Sequence, residues 1–189
     1  MNVLIAEDEA IIRLDMKEIL TQADHTVVAE ARNGKDAIRL AIANTPDCIF
    51  MDAHMEGDDG IEAAQAISDM QICPIVMVTA YSQIEKVKEA AHAGVFGYIT
   101  KPFTEQDLLT SMEVAQTRFE QARAMNDEIE KLKTKIETRK VVDKAKGILI
   151  ESGMSEEEAF SYMQKRAMDT RTPLRNIAEA ILLVGKINS

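Results

Sequence analysis

The chain of 189 residues has no tryptophan, only four prolines, eight glycines and two cysteines, and its aromatic residues amount to 4% of the total. Cys48 and Cys73 stand in apolar runs with no CxxC or Cys/His spacing. That argues against a thiolate metal site and reads as two free thiols acting as small hydrophobes in a reduced compartment. No apolar run approaches the roughly 20 residues that a bilayer span needs. The opening MNVLIAEDEA has no basic segment and meets an acid at Glu7, so no leader or membrane helix is expected and the expected location is cytoplasmic. From Arg139 onward the only rings are Phe160 and Tyr162, too few for an aromatic platform on which successive bases stack.

Positive charge is also scarce. The net charge is −10, which excludes a chain that coats nucleic acid over its whole surface. The imbalance is uneven: from Arg139 there are nine Lys/Arg against seven Asp/Glu, a balance of +2, which leaves −12 on residues 1–138. A hydrophobic content of 46% in 189 residues supports one mid-sized domain and one smaller one.

Over the first 105 residues, short β-branched runs alternate with helix-patterned segments. NVLIA precedes Ala10 to Gln22, TVVAEA precedes Gly34 to Asn44, and CIFMD precedes Gly60 to Met70. PIVMVT then precedes Ile84 to Ala93, and FGYIT precedes a helix that begins near Thr104. Strands apolar on both faces suit a parallel sheet covered on each side, so the expected fold is α/β, a five-stranded doubly wound parallel sheet of the flavodoxin-like kind. Asp59 with Glu62, and Thr104 with Asp107, have the spacing of capping pairs.

Ligands of such sheets bind at the carboxyl ends of the strands. Glu7 and Asp8 follow the first strand, Asp52 ends the third, Thr79 ends the fourth and Lys101 follows the fifth. Crowded carboxylates repel and raise one another's pKa unless a cation lies among them, and hard oxygen donors suit Mg²⁺. With that charge neutralised, Asp52 can act as a nucleophile toward a phosphoryl group, while Lys101 and the Thr79 hydroxyl take its other oxygens.

Residues 1–120 resemble the response-regulator receiver domain of two-component signalling. The motifs are EDE at 7–9, MDAHMEGDDG at 51–60, VTA at 78–80 and GYITKPF at 97–103. The resemblance implies that Asp52 accepts a phosphoryl group from a sensor histidine kinase. It implies that Glu7, Asp8 and Asp52 hold Mg²⁺ with the backbone carbonyl of His54, and that Lys101 pairs with the phosphoryl group. Thr79 and Tyr98 would be the switch pair, and Lys101–Pro102 a cis peptide bond. Where the family often has proline four residues after the acceptor, this chain has Glu56. The His54 ring is expected in solvent, and His92 at a helix C-terminus.

Between Leu108 and Ile136 there is neither glycine nor proline. This predicts one long helix, with a narrow stripe of Met112, Ala115, Phe119, Ala122, Asn126, Ile129, Lys133 and Ile136 and a second phase marked by Met125 and Leu132. Such a stripe suits a two-stranded coiled coil over 105–138, continuous with the last receiver helix and holding a homodimer when the protein is phosphorylated. The remainder, 139–189, reads as a small three-helix bundle. Val141, Ala145, Ile148 and Leu149 face inward on its first helix, and Ala159, Phe160, Met163 and Ala167 on its second. Thr172 and Pro173 start the third. Its cations, Lys144, Lys146, Lys165, Arg166, Arg171 and Arg175, mark a local polyanion site.

Residues 136–186 closely resemble the ANTAR domain of AmiR/NasR-type regulators through Ala145, Gly147, Ala159, Phe160, Met163, Ala167, Met168, Leu174, Ala178 and Ile181. That resemblance implies a dimer that binds paired RNA hairpins in nascent transcripts and prevents termination. A phosphorylation-controlled activator that binds duplex DNA is the alternative. An Mg²⁺-dependent enzyme is disfavoured, because the rim offers no second catalytic acid or base.

Overall fold

A computed structural model describes residues 1–55, 58–80 and 94–187. The expected helix from Ile84 to Ala93, His92 within it, and Glu56 lie outside the described residues. The chain divides into two compact units, Met1–Arg123 and Ala124–Ser189.

The first unit is the expected doubly wound sheet. β1 (Asn2–Ala6), β2 (Thr26–Ala31), β3 (Cys48–Asp52), β4 (Ile75–Ala80) and β5 (Gly97–Lys101) are all parallel, in the order β2-β1-β3-β4-β5. Alternation along each strand divides the core, because successive side chains of a strand point to opposite faces. Leu4, Ile49, Met51, Ile75 and Met77 face α2 (Gly34–Asn44) and α3 (Gly60–Asp69), meeting Ala37, Ala41, Ala64 and Ile67. Val3, Ile5, Phe50, Val76 and Val78 face the other way, onto Met16 and Leu20 of α1 (Ala10–Gln22) and Leu108, Met112 and Ala115 of α4 (Glu105–Glu151). Helices on both sides thus keep the three central strands β1, β3 and β4 dry, which is why those runs are apolar on both faces, while the edge strands β2 and β5 stay partly exposed. Asn33 caps α2, its side chain accepting from the Asp36 N–H, and Thr104 forms a reciprocal pair with Asp107 at the start of α4. An unanticipated two-residue antiparallel pair, His54–Met55 with Asp58–Asp59, follows β3; of the side chain of Asp59, expected as a cap, nothing is described.

The long helix is present as α4, and its stripe is divided in use. Met112 and Ala115 are spent on the first unit's core, and Phe119 packs edge-on against Phe96, with ring centroids 5.3 Å apart at 90°. Met125, Ile129, Leu132 and Ile136 are exposed.

In the second unit, the end of α4 packs with α5 (Glu156–Thr170) and α6 (Leu174–Ile187) around Val142, Ala145, Met163 and Ala178. Ser155 and Glu158 form the expected capping box. Three expectations need correction. Phe160 is 38% exposed, because Ala159 and Met163, four apart, take the inward line of α5 and the next residue lies about 100° round the helix. Val142, not Val141, is the fully inward residue of its pair. The Thr172 hydroxyl donates to the Thr170 carbonyl at 3.2 Å and does not cap α6, which starts after Pro173. No helix among the described residues is long and apolar enough to cross a membrane.

Candidate functional site

In the sheet order, the chain turns back at β1, and β1 and β3 become neighbours whose following loops leave toward opposite faces. A crevice opens there by topology alone. Glu7 and Asp8 come off the end of β1 and Asp52 ends β3, and one carboxylate oxygen from each lies within 4.8 Å of the others. From β5, the Lys101 ammonium reaches Asp52 Oδ2 at 2.7 Å, Glu7 Oε2 at 2.8 Å and Glu9 Oε1 at 3.8 Å. The peptide bond from Lys101 to Pro102 is cis. The His54 N–H donates to Asp52 Oδ1 at 3.1 Å.

Three carboxylates share this pocket with one close ammonium, so the electrostatics are under tension. Burial, reinforced by the charge of Asp52, pushes the Glu7 carboxyl up to about 7 against the opposing pull of Lys101. Burial alone would depress the Lys101 ammonium, yet its hydrogen bonds to Asp52 and Glu7 hold it above its ordinary value. The donor set is all oxygen and carries excess negative charge in a buried place, which fits a hard divalent cation such as Mg²⁺.

Of the remaining expected residues, Thr79 is fully buried on β4, its hydroxyl donating to the Ala80 carbonyl at 3.3 Å. The Tyr98 ring on β5 is 46% exposed and borders a separate surface cleft with Gln106, Asp107 and Val114. His54 is exposed and meets the site through its backbone.

Two residues of the site escaped the sequence reading. Arg13 is buried in α1, and its guanidinium donates to the Glu7 carbonyl at 2.7 Å and the Asp8 carbonyl at 3.2 Å while pairing with Glu30. It pins the backbone that aims both acids, and its signal was a cation in register with Met16 and Leu20 on the inward face of α1. Gly60 starts α3 so close to Asp52 that a Cβ there would lie 1.9 Å from the Asp52 carbonyl oxygen. The two thiols are silent: burial raises both, Cys73 to about 12, so neither is a ready nucleophile.

The six expected polyanion contacts separate into two kinds. Lys146 is held by Glu156 at 2.8 Å and Asp143 at 3.3 Å, and Arg175 by Glu179 at 2.8 Å and Glu137 at 3.6 Å. Lys144, Lys165, Arg166 and Arg171 are exposed and make no ion pair among the described residues. Acids placed three or four residues along the same helix, Asp143 for Lys146 and Glu179 for Arg175, were the signal that two of the cations are engaged.

The family model of the response regulator receiver domain matches residues 3–113, and that of the ANTAR domain matches residues 130–182. The transcriptional regulatory protein PdtaR of Mycobacterium tuberculosis is 44% identical over 182 residues, which cover 96% of this chain and 89% of PdtaR. The transcriptional regulatory protein YdfI of Bacillus subtilis is 28% identical over 201 residues, covering 94% of each chain. Among solved structures, the receiver domain of AraT, a response regulator from Geobacillus stearothermophilus, superposes with a TM-score of 0.57 at 31% identity. It covers 65% of this chain and 97% of that one.

Proposed function

The chain belongs to the response regulators, with a receiver domain joined to an ANTAR domain, a family of regulators and not of enzymes; from that premise we propose that phosphorylation of Asp52 makes this protein a dimer that binds hairpin RNA and prevents transcription termination. The receiver implies a histidine kinase as phosphodonor, and the ANTAR domain implies RNA. In this reading residues 1–120 form the receiver, 105–138 the coupling helix and 139–189 the RNA-binding module.

The observation that carries the proposal is the Lys101 ammonium lying between Glu7 and Asp52 at the crevice of the sheet. Asp52 presents a carboxylate oxygen that forms a bond to phosphorus as the N–P bond of the kinase's phosphohistidine breaks. The departing imidazole keeps the bonding electron pair and takes a proton. Lys101, 2.7 Å from Asp52 Oδ2, is placed to follow the new negative charge onto a phosphoryl oxygen. Glu7, Asp8, Asp52 and the His54 carbonyl would hold Mg²⁺, which when bound supplies the positive charge that offsets the phosphoryl oxygens. Thr79 turns its hydroxyl toward the phosphate, and the exposed Tyr98 ring follows inward, which converts a local charge change into a change of surface.

Glu7 gives a direct test of the pocket. Its folded-state pKa lies above the unfolded value, so its contribution to stability is full below about 4.5 and is lost as pH rises through about 7. Glu7→Gln therefore melts higher than wild type at pH 8 without metal, by about 2–4 °C for each kcal/mol recovered. The advantage vanishes near pH 4, and Mg²⁺ raises the melting temperature of wild type but not of the variant. Equal melting curves at pH 8 would show that the pocket carries no such tension.

The exposed residues of α4 support the dimer. Met125, Ile129, Leu132 and Ile136 continue a 3,4 spacing from the half-buried Ala122 and leave Asn126 and Lys133 beside the seam. Sedimentation of wild type with Mg²⁺ and beryllofluoride, a phosphoryl mimic, should double the mass, and Leu132→Glu should hold the chain as a monomer under the same conditions. A two-hairpin RNA and a DNA duplex, titrated with and without beryllofluoride, test the function. Beryllofluoride-dependent RNA binding supports the proposal, whereas preference for duplex DNA moves the reading to an activator.

A further inference from the structure

Helix α1 begins without a side-chain cap. Glu9 stands at its N-cap and makes no cap hydrogen bond, where Ser, Thr, Asp or Asn would hold an early N–H. The entry is fixed from inside the helix instead. One turn on, the buried Arg13 directs Nη1 back to the carbonyls of Glu7 at 2.7 Å and Asp8 at 3.2 Å, while its Nε lies 3.3 Å from Glu30 Oε2 on β2. Glu30 is held in turn by Lys17, one turn further along α1. From the other side, the Glu7 N–H donates to the Ala31 carbonyl at the end of β2 at 3.1 Å. Glu7 Oε1 accepts from the Glu9 N–H at 3.2 Å, so the direction of that carboxylate follows the backbone of the same turn.

These bonds fall where the sheet stops supplying them. The last pair of β1 with β3 is Ala6 with Met51, and the Glu7 and Asp8 carbonyls lie beyond it. A guanidinium keeps its charge when buried and presents several N–H donors in one rigid plane, so it can hold two carbonyls and a carboxylate together. An ammonium at the same place is a point charge on a flexible stem. The peptide units fixed in this way carry two of the three carboxylates of the crevice, and bonds that orient metal ligands from outside change metal affinity by about 10–100-fold. We propose that Arg13 is a positioning residue of the crevice, setting its affinity for a divalent cation by locking the Glu7–Asp8 backbone, with Glu30 of β2 as the other half of the lock. The proposal rests on the reading of the crevice as a cation-dependent phosphoryl acceptor and adds to it what holds the acids in place. The sign of the effect separates a lock from a charge. A cation beside the acids repels Mg²⁺, so an Arg13 that acted through charge alone would tighten cation binding when removed. Removing a lock weakens it.

The test is a calorimetric titration of Mg²⁺ into the full chain, for wild type, Arg13→Met, Arg13→Lys and Glu30→Gln, with a melting curve of each in EDTA. Arg13→Met should raise the Mg²⁺ dissociation constant about tenfold or more, and Arg13→Lys should show most of that rise although the charge is kept. Glu30→Gln should show a smaller rise, and the double variant Arg13→Met, Glu30→Gln should bind no more weakly than Arg13→Met alone, because the two residues act as one unit. Phosphoryl uptake from a small-molecule donor should then need more Mg²⁺ for half its maximum and reach the wild-type rate at saturation. An unchanged or smaller constant in Arg13→Met, or a wild-type constant in Arg13→Lys, would overturn the lock. So would a lower melting temperature with an unchanged constant, which would make Arg13 a part of the core and no more. If Arg13→Met does not fold, the constants of Arg13→Lys and Glu30→Gln decide in the same way. If wild type binds no Mg²⁺ at all, the reading of the crevice itself falls, and the positioning role with it.

Discussion

Asp52→Asn takes up no phosphoryl group, and beryllofluoride no longer doubles its mass or raises its affinity for hairpin RNA. The amide keeps the shape of the side chain and can still accept from the His54 N–H, so the fold is retained. It offers no anionic oxygen to phosphorus, however, and removes one of the three carboxylates that draw a cation to the crevice. Glu7 cannot substitute, because it is fully buried against Lys101. The loss should be complete in a phosphotransfer assay with a small-molecule phosphodonor and Mg²⁺. Incorporation near the wild-type level would place the acceptor elsewhere and end the assignment.

Gly60→Ala has the second largest effect. The added methyl would stand 1.9 Å from the Asp52 carbonyl oxygen and 3.0 Å from its carbonyl carbon, both backbone atoms of a central strand. Neither can move as a side chain would, so α3 and the end of β3 separate. Overpacking of this kind costs about 1–3 kcal/mol, sometimes more. The displacement also falls on the acceptor itself, where a shift of about 1 Å lowers reactivity roughly 100-fold. Phosphoryl uptake should therefore fall by about that factor, with a lower urea midpoint. Gly147→Ala is the control, since a Cβ there meets nothing within 4 Å and α4 gains about 0.5–1 kcal/mol from the better helix former. A Gly60→Ala chain with wild-type uptake and midpoint would show that the close approach is not a constraint.

The sheet was legible because its strands are apolar on both faces and the chemistry-bearing residues fall at strand ends, where topology has to bring Glu7, Asp8, Asp52 and Lys101 together. Arg13 and Gly60 were not legible, since their importance lies in what they touch: an arginine on a helix and a glycine after two acids have ordinary readings, and only the packed backbone gives them a role. The long helix was clear from its lack of breakers, but the use of its stripe was not. Nothing in the spacing of Met112, Ala115 and Phe119 separates a seam from a core, and the choice is made by Phe96 and the sheet. In the second unit, the misplacement of Phe160 has the same origin, for with so little to bury, a one-residue rotation decides which apolar side chain is left outside. Mistaking engaged cations for open ones came from counting charges without their helical neighbours.

The crevice acids come from the first and third strands, and their counter-ion from the fifth. During synthesis, Glu7, Asp8 and Asp52 emerge long before Lys101. Until β5 is laid along β4, the sheet has to gather three carboxylates with no ammonium to balance them, so the partial sheet bears a repulsion that the finished one does not. Closing the last strand relieves it. The pocket thereby reports on the completeness of its own fold: a chain truncated before Lys101 should be poorly folded at neutral pH, rescued by acid or by divalent cations, and a poor acceptor even where its first four strands have formed.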